Sequence, residues 1–274
     1  MNDTVRARIR DKKRIVVKIG SSSLQHPETG DLDYIRMEVL IRELCNLRNQ
    51  GKDVVLVSSG AIAAGRKAVH IKDINREHGE NHIAVKQACA AIGQARLMMT
   101  YQKIFAEYNQ VTAQILMTKN TIVDNLNRYN AHNTFSELLK MGVIPIVNEN
   151  DTIATYEIEI GDNDTLSAMV AALAGADLLV ILSDIDGLYD DNPRTNPNAN
   201  LLHEVARITP EIEACAAGAG SARGTGGMVT KIHAAQIAVQ NGIGMVIMNG
   251  ASPKKLYDLF EGRDVGTYFP ASRK

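Results

Sequence analysis

Short runs of β-branched and aliphatic residues alternate with longer stretches of helical periodicity along the whole 274-residue chain. Ile15 to Ile19 has the pattern of a buried strand, and Met37, Leu40, Leu44 and Leu47 then recur at three- and four-residue steps, which predicts a helix that Gly51 ends. Val54 to Val57 is the next strand. The segment from Ile83 to Met99, rich in Ala, Leu, Met and Gln, predicts a largely buried helix, and Val111 to Leu116 alternates apolar with polar positions. Thr134 with Glu137 three residues on reads as a capping box that opens a helix running to Met141, with Gly142 as its stop before the strand-like VIPIVN. The polar stretch from Thr118 to Asn133, with Asp124, Arg128 and His132, is expected to be a loop, either gating substrate and sensing effectors or simply crossing over.

The rhythm then repeats. Thr165 to Ala174 predicts a helix, Leu178 to Leu182 a buried strand, Asp186-Gly187 a turn, and residues 190 to 200 (DDNPRTNPNAN) a surface loop. A helix around 209 to 217, the glycine-rich GAGSARGTGG, a helix from Thr230 to Gln240, a strand from Gly244 to Met248 and a helix near Pro253 to Phe260 complete the chain. Strands that alternate with helices of this length need crossover connections, so the expected architecture is a three-layer α/β/α sandwich with a mainly parallel central sheet. Ligands of such sheets bind beyond the carboxyl ends of the strands, and the chemistry is to be sought in the loops there.

Composition narrows the field. Lys and Arg number 30 against 31 Asp and Glu, which gives no electrostatic footprint for nucleic acid or an anionic membrane. Cys45, Cys89 and Cys215 are scattered and lack metal-site or disulfide spacing, as expected of a reducing compartment. Residues 1–13 are charged and without an apolar signal core, and no apolar run approaches the ~18 residues of a membrane span. A cytoplasmic protein with a flexible N-terminal segment is expected.

Four strand-end loops carry unusual residues: Lys18-Ile-Gly20-Ser21-Ser22-Ser23, Ser58-Ser59-Gly60-Ala61, Asn148-Glu-Asn150-Asp151, and the late Gly224-Thr-Gly-Gly227 leading to Lys231. Glycine with small hydroxyl residues leaves backbone N–H groups open to an anion, and a following helix adds roughly half a positive charge. Each loop alone is equally a plain turn with an N-cap; their recurrence at strand ends points to phosphate. Neither G-x-x-x-x-G-K-[ST] nor a strand followed by G-x-G-x-x-G occurs, so P-loop and dinucleotide readings fall. Gly161-Asp162-Asn163-Asp164-Thr165 gathers two carboxylates and an amide before a helix; Asp164 could serve as its N-cap, which accounts for one aspartate only. Lys18, bounded by Val17 and Ile19, needs a partner if its strand is central.

Together VVKIGSSSL, SSGAIAAG, NEND, GDND, LSDIDGLYDDNPRTNP and GTGGMVTK, in this order, closely resemble the motifs of the amino acid kinase family, and within it those of the glutamate 5-kinase group. The resemblance runs from about Arg14 to the C-terminus. It implies an ATP-dependent kinase that phosphorylates the side-chain carboxylate of L-glutamate, with Mg2+ accompanying ATP and no metal site of the protein's own. Lys18, Lys231 and Asp164 match the family's catalytic residues, Asp164 as the aspartate holding both lysines. Ser59, Asp151 and Asn163 match positions that grip the amino acid, Gly60 lies in the same substrate loop, and Asn148 is expected in the lining beside them. Lys18, Gly20, Ser21, Ser183, Asp184, Thr225, Gly226, Gly227, Met228, Val229, Thr230 and Lys231 match the nucleotide-binding elements.

The resemblance also implies a substrate lobe over about residues 14–175, a nucleotide lobe over about 176–274, a homo-oligomer (dimer or tetramer), and a glutamyl phosphate reductase as the partner that takes up a labile acyl phosphate. No RNA-binding-like PUA domain is expected. Two departures stand out: Glu159 occupies a position where relatives often carry lysine, and the loop reads DDNPR in place of the commoner xDPR. The alternatives are a kinase for another small acid, such as acetylglutamate, aspartate, carbamate or a nucleoside monophosphate, and a catalytically silent amino-acid sensor.

Overall fold

The computed structural model describes residues 8–72, 74, 82–153, 163–218 and 227–272. In chain order the elements are β1 (Arg14–Ile19), α1 (Ser21–Leu24), α2 (Tyr34–Asn49), β2 (Asp53–Ser58), α3 (Ala61–Ala68), α4 (His82–Glu107), β3 (Thr112–Met117), α5 (Lys119–Val123), α6 (Asn125–Lys140), β4 (Ile144–Glu149), α7 (Asn163–Ala174), β5 (Leu178–Ser183), α8 (Pro210–Gly218), α9 (Met228–Gln240), β6 (Gly244–Asn249), α10 (Lys255–Phe260) and β7 (Thr267–Phe269). They form a seven-stranded sheet of order β3-β4-β2-β1-β5-β6-β7, parallel from β3 to β6 and closed at one edge by antiparallel β7. The expected architecture of a mainly parallel, doubly covered sheet is the one found.

Strand parity sorts the core into two layers, because successive side chains of a strand leave opposite faces. Ile15, Val17 and Ile19 of β1 pack with Val54, Leu56, Ile144 and Ile146 under α2, α4 and α10. Val16 of β1, with Val55, Val57, Val147, Leu179 and Ile181, packs under α6, α7 and α9. Lys18 shares the parity of Val16, and its backbone sits between Val57 of β2 and Ile181 of β5. A lysine on a central strand is thereby aimed at the layer that contains α7 and α9.

The stretch between β3 and β4 departs from expectation. Residues 118 to 133 are largely helical, since Asp124 caps α6 by accepting from the Asn127 N–H at 2.8 Å. Thr134 therefore lies inside α6, where its Oγ1 donates to the Asn130 carbonyl at 3.0 Å, and it opens no helix. An aspartate earlier in the chain offered the better cap, and threonine in a helix interior returns its hydroxyl to the preceding turn.

Helices α3 and α4 touch backbone to backbone. A Cβ at Gly65 would fall 1.8 Å from the Cys89 carbonyl oxygen, and one at Gly93 would fall 1.8 Å from that of Ala61. Gly60, at φ +108°, turns the chain from β2 into α3, so this close packing also fixes where the Ser59-Gly60 turn stands. Gly93→Ala is expected to cost about 2 kcal/mol or more of stability by forcing the two helices apart, read as a lowered urea midpoint; an unchanged midpoint would mean that the helices are free to separate.

Candidate active site

The parity of β1 and the entry of α7 bring three charges to one point. Lys18 Nζ lies 2.6 Å from Asp164 Oδ1, and Lys231 Nζ lies 3.0 Å from Asp164 Oδ2. The side chains are 10%, 6% and 1% exposed for Lys18, Lys231 and Asp164, so the group is withdrawn from water. Asp164 is in the first turn of α7, which starts at Asn163, and its carboxylate faces the lysines instead of capping the helix. The positive end of the helix dipole favours a carboxylate there. Lys231 is in the first turn of α9, and α9 packs on α7. Thr230 Oγ1 stands 3.1 Å from Asp164 Oδ2 and 2.8 Å from the Gly227 carbonyl oxygen.

Burial raises the pKa of Asp164, but attraction to Lys18 and Lys231 and the hydrogen bonds from both ammonium groups outweigh it and hold the carboxyl below its usual value. Two ammonium groups on one carboxylate leave a formal excess of one positive charge. Such a trio can receive an anion. Gly20 closes over it: a Cβ there would come 3.7 Å from Lys18 Nζ.

A polar chain begins beside this centre and crosses the strand ends. Asn163 Nδ2 donates to Ser59 Oγ at 2.7 Å and to Asn148 Oδ1 at 3.4 Å. Asn148 Nδ2 in turn donates to Gln94 Oε1 of α4 at 2.8 Å. A Cβ at Gly60 would meet that of Ser21 at 3.7 Å, so the turns after β1 and β2 adjoin. Beyond Asn148 lies a cavity of about 300 Å³ whose lining includes Ala61, Gln94, Gln114, Glu149, Asn150 and Asp151. Small alanines on α3 and α4 make the space, and carboxylate and amide groups from the NEND turn face it.

The other half of the expected constellation follows β5. Ser183 is buried and donates to Asp184 Oδ1 at 3.1 Å, while Arg194 reaches back to within 3.8 Å of Asp184 Oδ2. This hydrogen bond of Ser183 and this ion pair of Asp184 are local and do not reach the lysine pair. The DDNPR loop is exposed but cross-linked: hydrogen bonds from Asn200 hold the Asp190 carboxyl below its usual pKa, and those from Asn196 and Asn192 do the same for Asp191. Gly227 precedes α9, Met228 is buried and Val229 is exposed. Thr225 and Gly226, with Gly224, Glu159, Gly161 and Asp162, lie outside the described residues.

Sequence reading missed Gln94 and Tyr101 of α4, which bond to Asn148 and Ser58. Their spacing of seven places them on one face, yet nothing along the chain marks them within a helix of otherwise apolar contact. Among the described residues no group of three or more His, Cys, Asp or Glu gathers to hold a metal ion, and no helix is long and apolar enough to cross a membrane.

The model of the Amino acid kinase family matches residues 13–249. The chain is 50% identical over 273 residues to a glutamate 5-kinase of Clostridium perfringens, covering 98% of this chain and 99% of the relative. It is 52% identical over 266 residues to a glutamate 5-kinase of Carboxydothermus hydrogenoformans, covering 97% of this chain and 70% of that one. Among solved structures, UMP kinase from Ureaplasma parvum superposes with a TM-score of 0.68 at 17% identity, covering 94% of this chain and 99% of the other, a likeness of fold. The buried lysine pair on its aspartate therefore sits in a known scaffold, and the chain belongs to the amino acid kinase family, within its glutamate 5-kinase branch.

Proposed function

We propose that the protein transfers the γ-phosphoryl group of ATP to the side-chain carboxylate of L-glutamate, giving L-glutamyl 5-phosphate and ADP, the first step of proline biosynthesis, in the cytoplasm. The observation that carries this reading is the buried trio of Lys18, Asp164 and Lys231, linked through the hydrogen bonds of Asn163, Asn148 and Gln94 to a cavity whose lining includes carboxylate and amide residues.

A carboxylate is already a nucleophile, so no general base is required and no proton moves. One carboxylate oxygen forms a bond to γ-phosphorus as the bond from phosphorus to the bridging oxygen breaks, and ADP leaves with that electron pair. The obstacle is repulsion between two anions: unit charges ~4 Å apart at an effective dielectric of ~20 interact by about 4 kcal/mol. In this reading Lys18 bridges the transferring phosphoryl and Lys231 neutralises the leaving side. Asp164 keeps two like charges close enough to act together. Ser59, Gly60, Asn148, Asp151 and Asn163 hold the amino acid, Asp151 meeting its ammonium and the Gly60 N–H its α-carboxylate. Gly20, Ser21, Ser183, Asp184 and the segment Thr225 to Lys231 hold the nucleotide, which divides the domain into a substrate half before about residue 175 and a nucleotide half after it.

Magnesium, when present, neutralises phosphate charge. The described residues offer no cage for it, and Asp164 is committed to the two lysines. Mg2+ bound with ATP would supply that neutralisation, as it usually does with nucleotides.

Purified protein with ATP, Mg2+ and hydroxylamine is expected to form hydroxamate from L-glutamate, and Lys18→Ala to lower kcat by roughly a hundredfold or more. Turnover of another acid with none of glutamate would end the substrate assignment; full activity in Lys18→Ala would end the role given to that lysine.

Asp164→Asn removes the carboxylate that both buried ammonium groups share and is expected to cost about 3–5 kcal/mol at pH 7. Because the folded-state pKa of Asp164 is depressed, its contribution is present above the unfolded value of ~3.9 and lost as pH falls through the folded one. Denaturation of both proteins across pH should therefore show a gap that narrows below about pH 4; a gap that stays constant into acid would contradict the ion pairing.

A further inference from the structure

Ser58 ends β2 immediately before the Ser59-Gly60 turn. Its Oγ donates to the carbonyl oxygen of Ser59 at 3.2 Å and lies 2.8 Å from the hydroxyl of Tyr101 on α4. A serine hydroxyl has one proton. With that proton on the Ser59 carbonyl, Tyr101 must be the donor to Ser58 Oγ. Tyr101 is fully buried, and burial pushes its phenol pKa upward, which keeps the donor protonated. The relay has one direction: Tyr101 to Ser58 to the Ser59 carbonyl.

A planar trans peptide points its C=O and the following N–H to opposite sides. Ser58 shares strand parity with Val54 and Leu56, whose face is covered by α4. Fixing the Ser59 carbonyl against Ser58 therefore turns the Gly60 N–H away from Ser58. Gly60 adjoins Ser21, and the Ser59 side chain is held by Asn163. At φ +108° Gly60 has backbone freedom that other residues lack, and the hydrogen bond from Ser58 to the Ser59 carbonyl favours one orientation of this peptide.

We propose that Tyr101 is a positioning residue: acting through Ser58, it locks the Ser59–Gly60 peptide so that the Gly60 N–H is presented to the α-carboxylate of the substrate. This rests on the reading that the Ser59-Gly60 turn holds the amino acid. Losing the phenol hydroxyl frees Ser58 to rotate and the peptide to invert, which would set a carbonyl oxygen against a carboxylate. The contact is made equally with bound substrate and with the transition state, so the loss falls on glutamate KM, with kcat spared.

The test compares Tyr101→Phe, Ser58→Ala and the double variant with the wild-type protein, measuring kcat, the KM of glutamate, the KM of ATP and the thermal midpoint. Tyr101→Phe and Ser58→Ala are each expected to raise glutamate KM roughly five- to tenfold, with kcat and the KM of ATP within about twofold of wild type. The double variant is expected to be no worse than Ser58→Ala alone, because both changes cut the same relay. An unchanged glutamate KM, equal losses for ATP and glutamate, or effects that multiply in the double variant would each overturn the proposal. If Tyr101→Phe fails to fold, Ser58→Ala decides: a normal glutamate KM there overturns it. A wild-type protein that turns over no glutamate would instead remove the substrate reading itself.

Discussion

A single carboxylate, Asp164, holds two ammonium groups together in a place that water barely reaches. Isolated, either lysine would be expensive to bury, and side by side they would repel. Within this trio the aspartate offsets one charge of two, so the folded protein holds a net positive charge there where little solvent screens it. An anion arriving there meets charge already in position, with no rearrangement needed when it reacts.

The rest of the sheet can be understood as what delivers those three residues. β1 sits between β2 and β5, so Lys18 is inside the sheet and can leave it only toward the layer of α7 and α9. Both helices contribute from their first turns, Asp164 from α7 and Lys231 from α9, and so both act beside the carboxyl ends of the central strands. In the proposed reading the opposite layer serves the amino acid. There α4 reaches Asn148 through Gln94 and Ser58 through Tyr101, while its glycine contact with α3 fixes where the Ser59-Gly60 turn stands. Charge comes from one face of the sheet and shape from the other.

Much of this was legible along the chain. The run from Ile15 to Ile19 announced a buried strand, and Lys18 within it announced a charge in need of a partner. The order of glycine-rich strand ends named the loops. What stayed hidden has physical causes. A three-residue edge strand, β7, is too short to show a period. The helices over residues 118 to 133 are largely polar and exposed, so no apolar stripe marked them, and Thr134 with Glu137 imitated a cap that Asp124 supplies instead. Gln94 and Tyr101 look like ordinary helix residues, since what distinguishes them is the strand end each one meets, a fact of tertiary packing. The interior Gly65 and Gly93 did carry a signal, for glycine inside a helical pattern commonly marks close approach of another backbone.

The most direct measurement is a crystal structure of the protein with L-glutamate and a non-hydrolysable ATP analogue. The account predicts Lys18 Nζ and Lys231 Nζ on opposite sides of the γ-phosphoryl, each within about 3.2 Å of one of its oxygens, with Asp164 still between them. A γ-phosphoryl bound elsewhere, or either nitrogen turned out to bulk water, would contradict it.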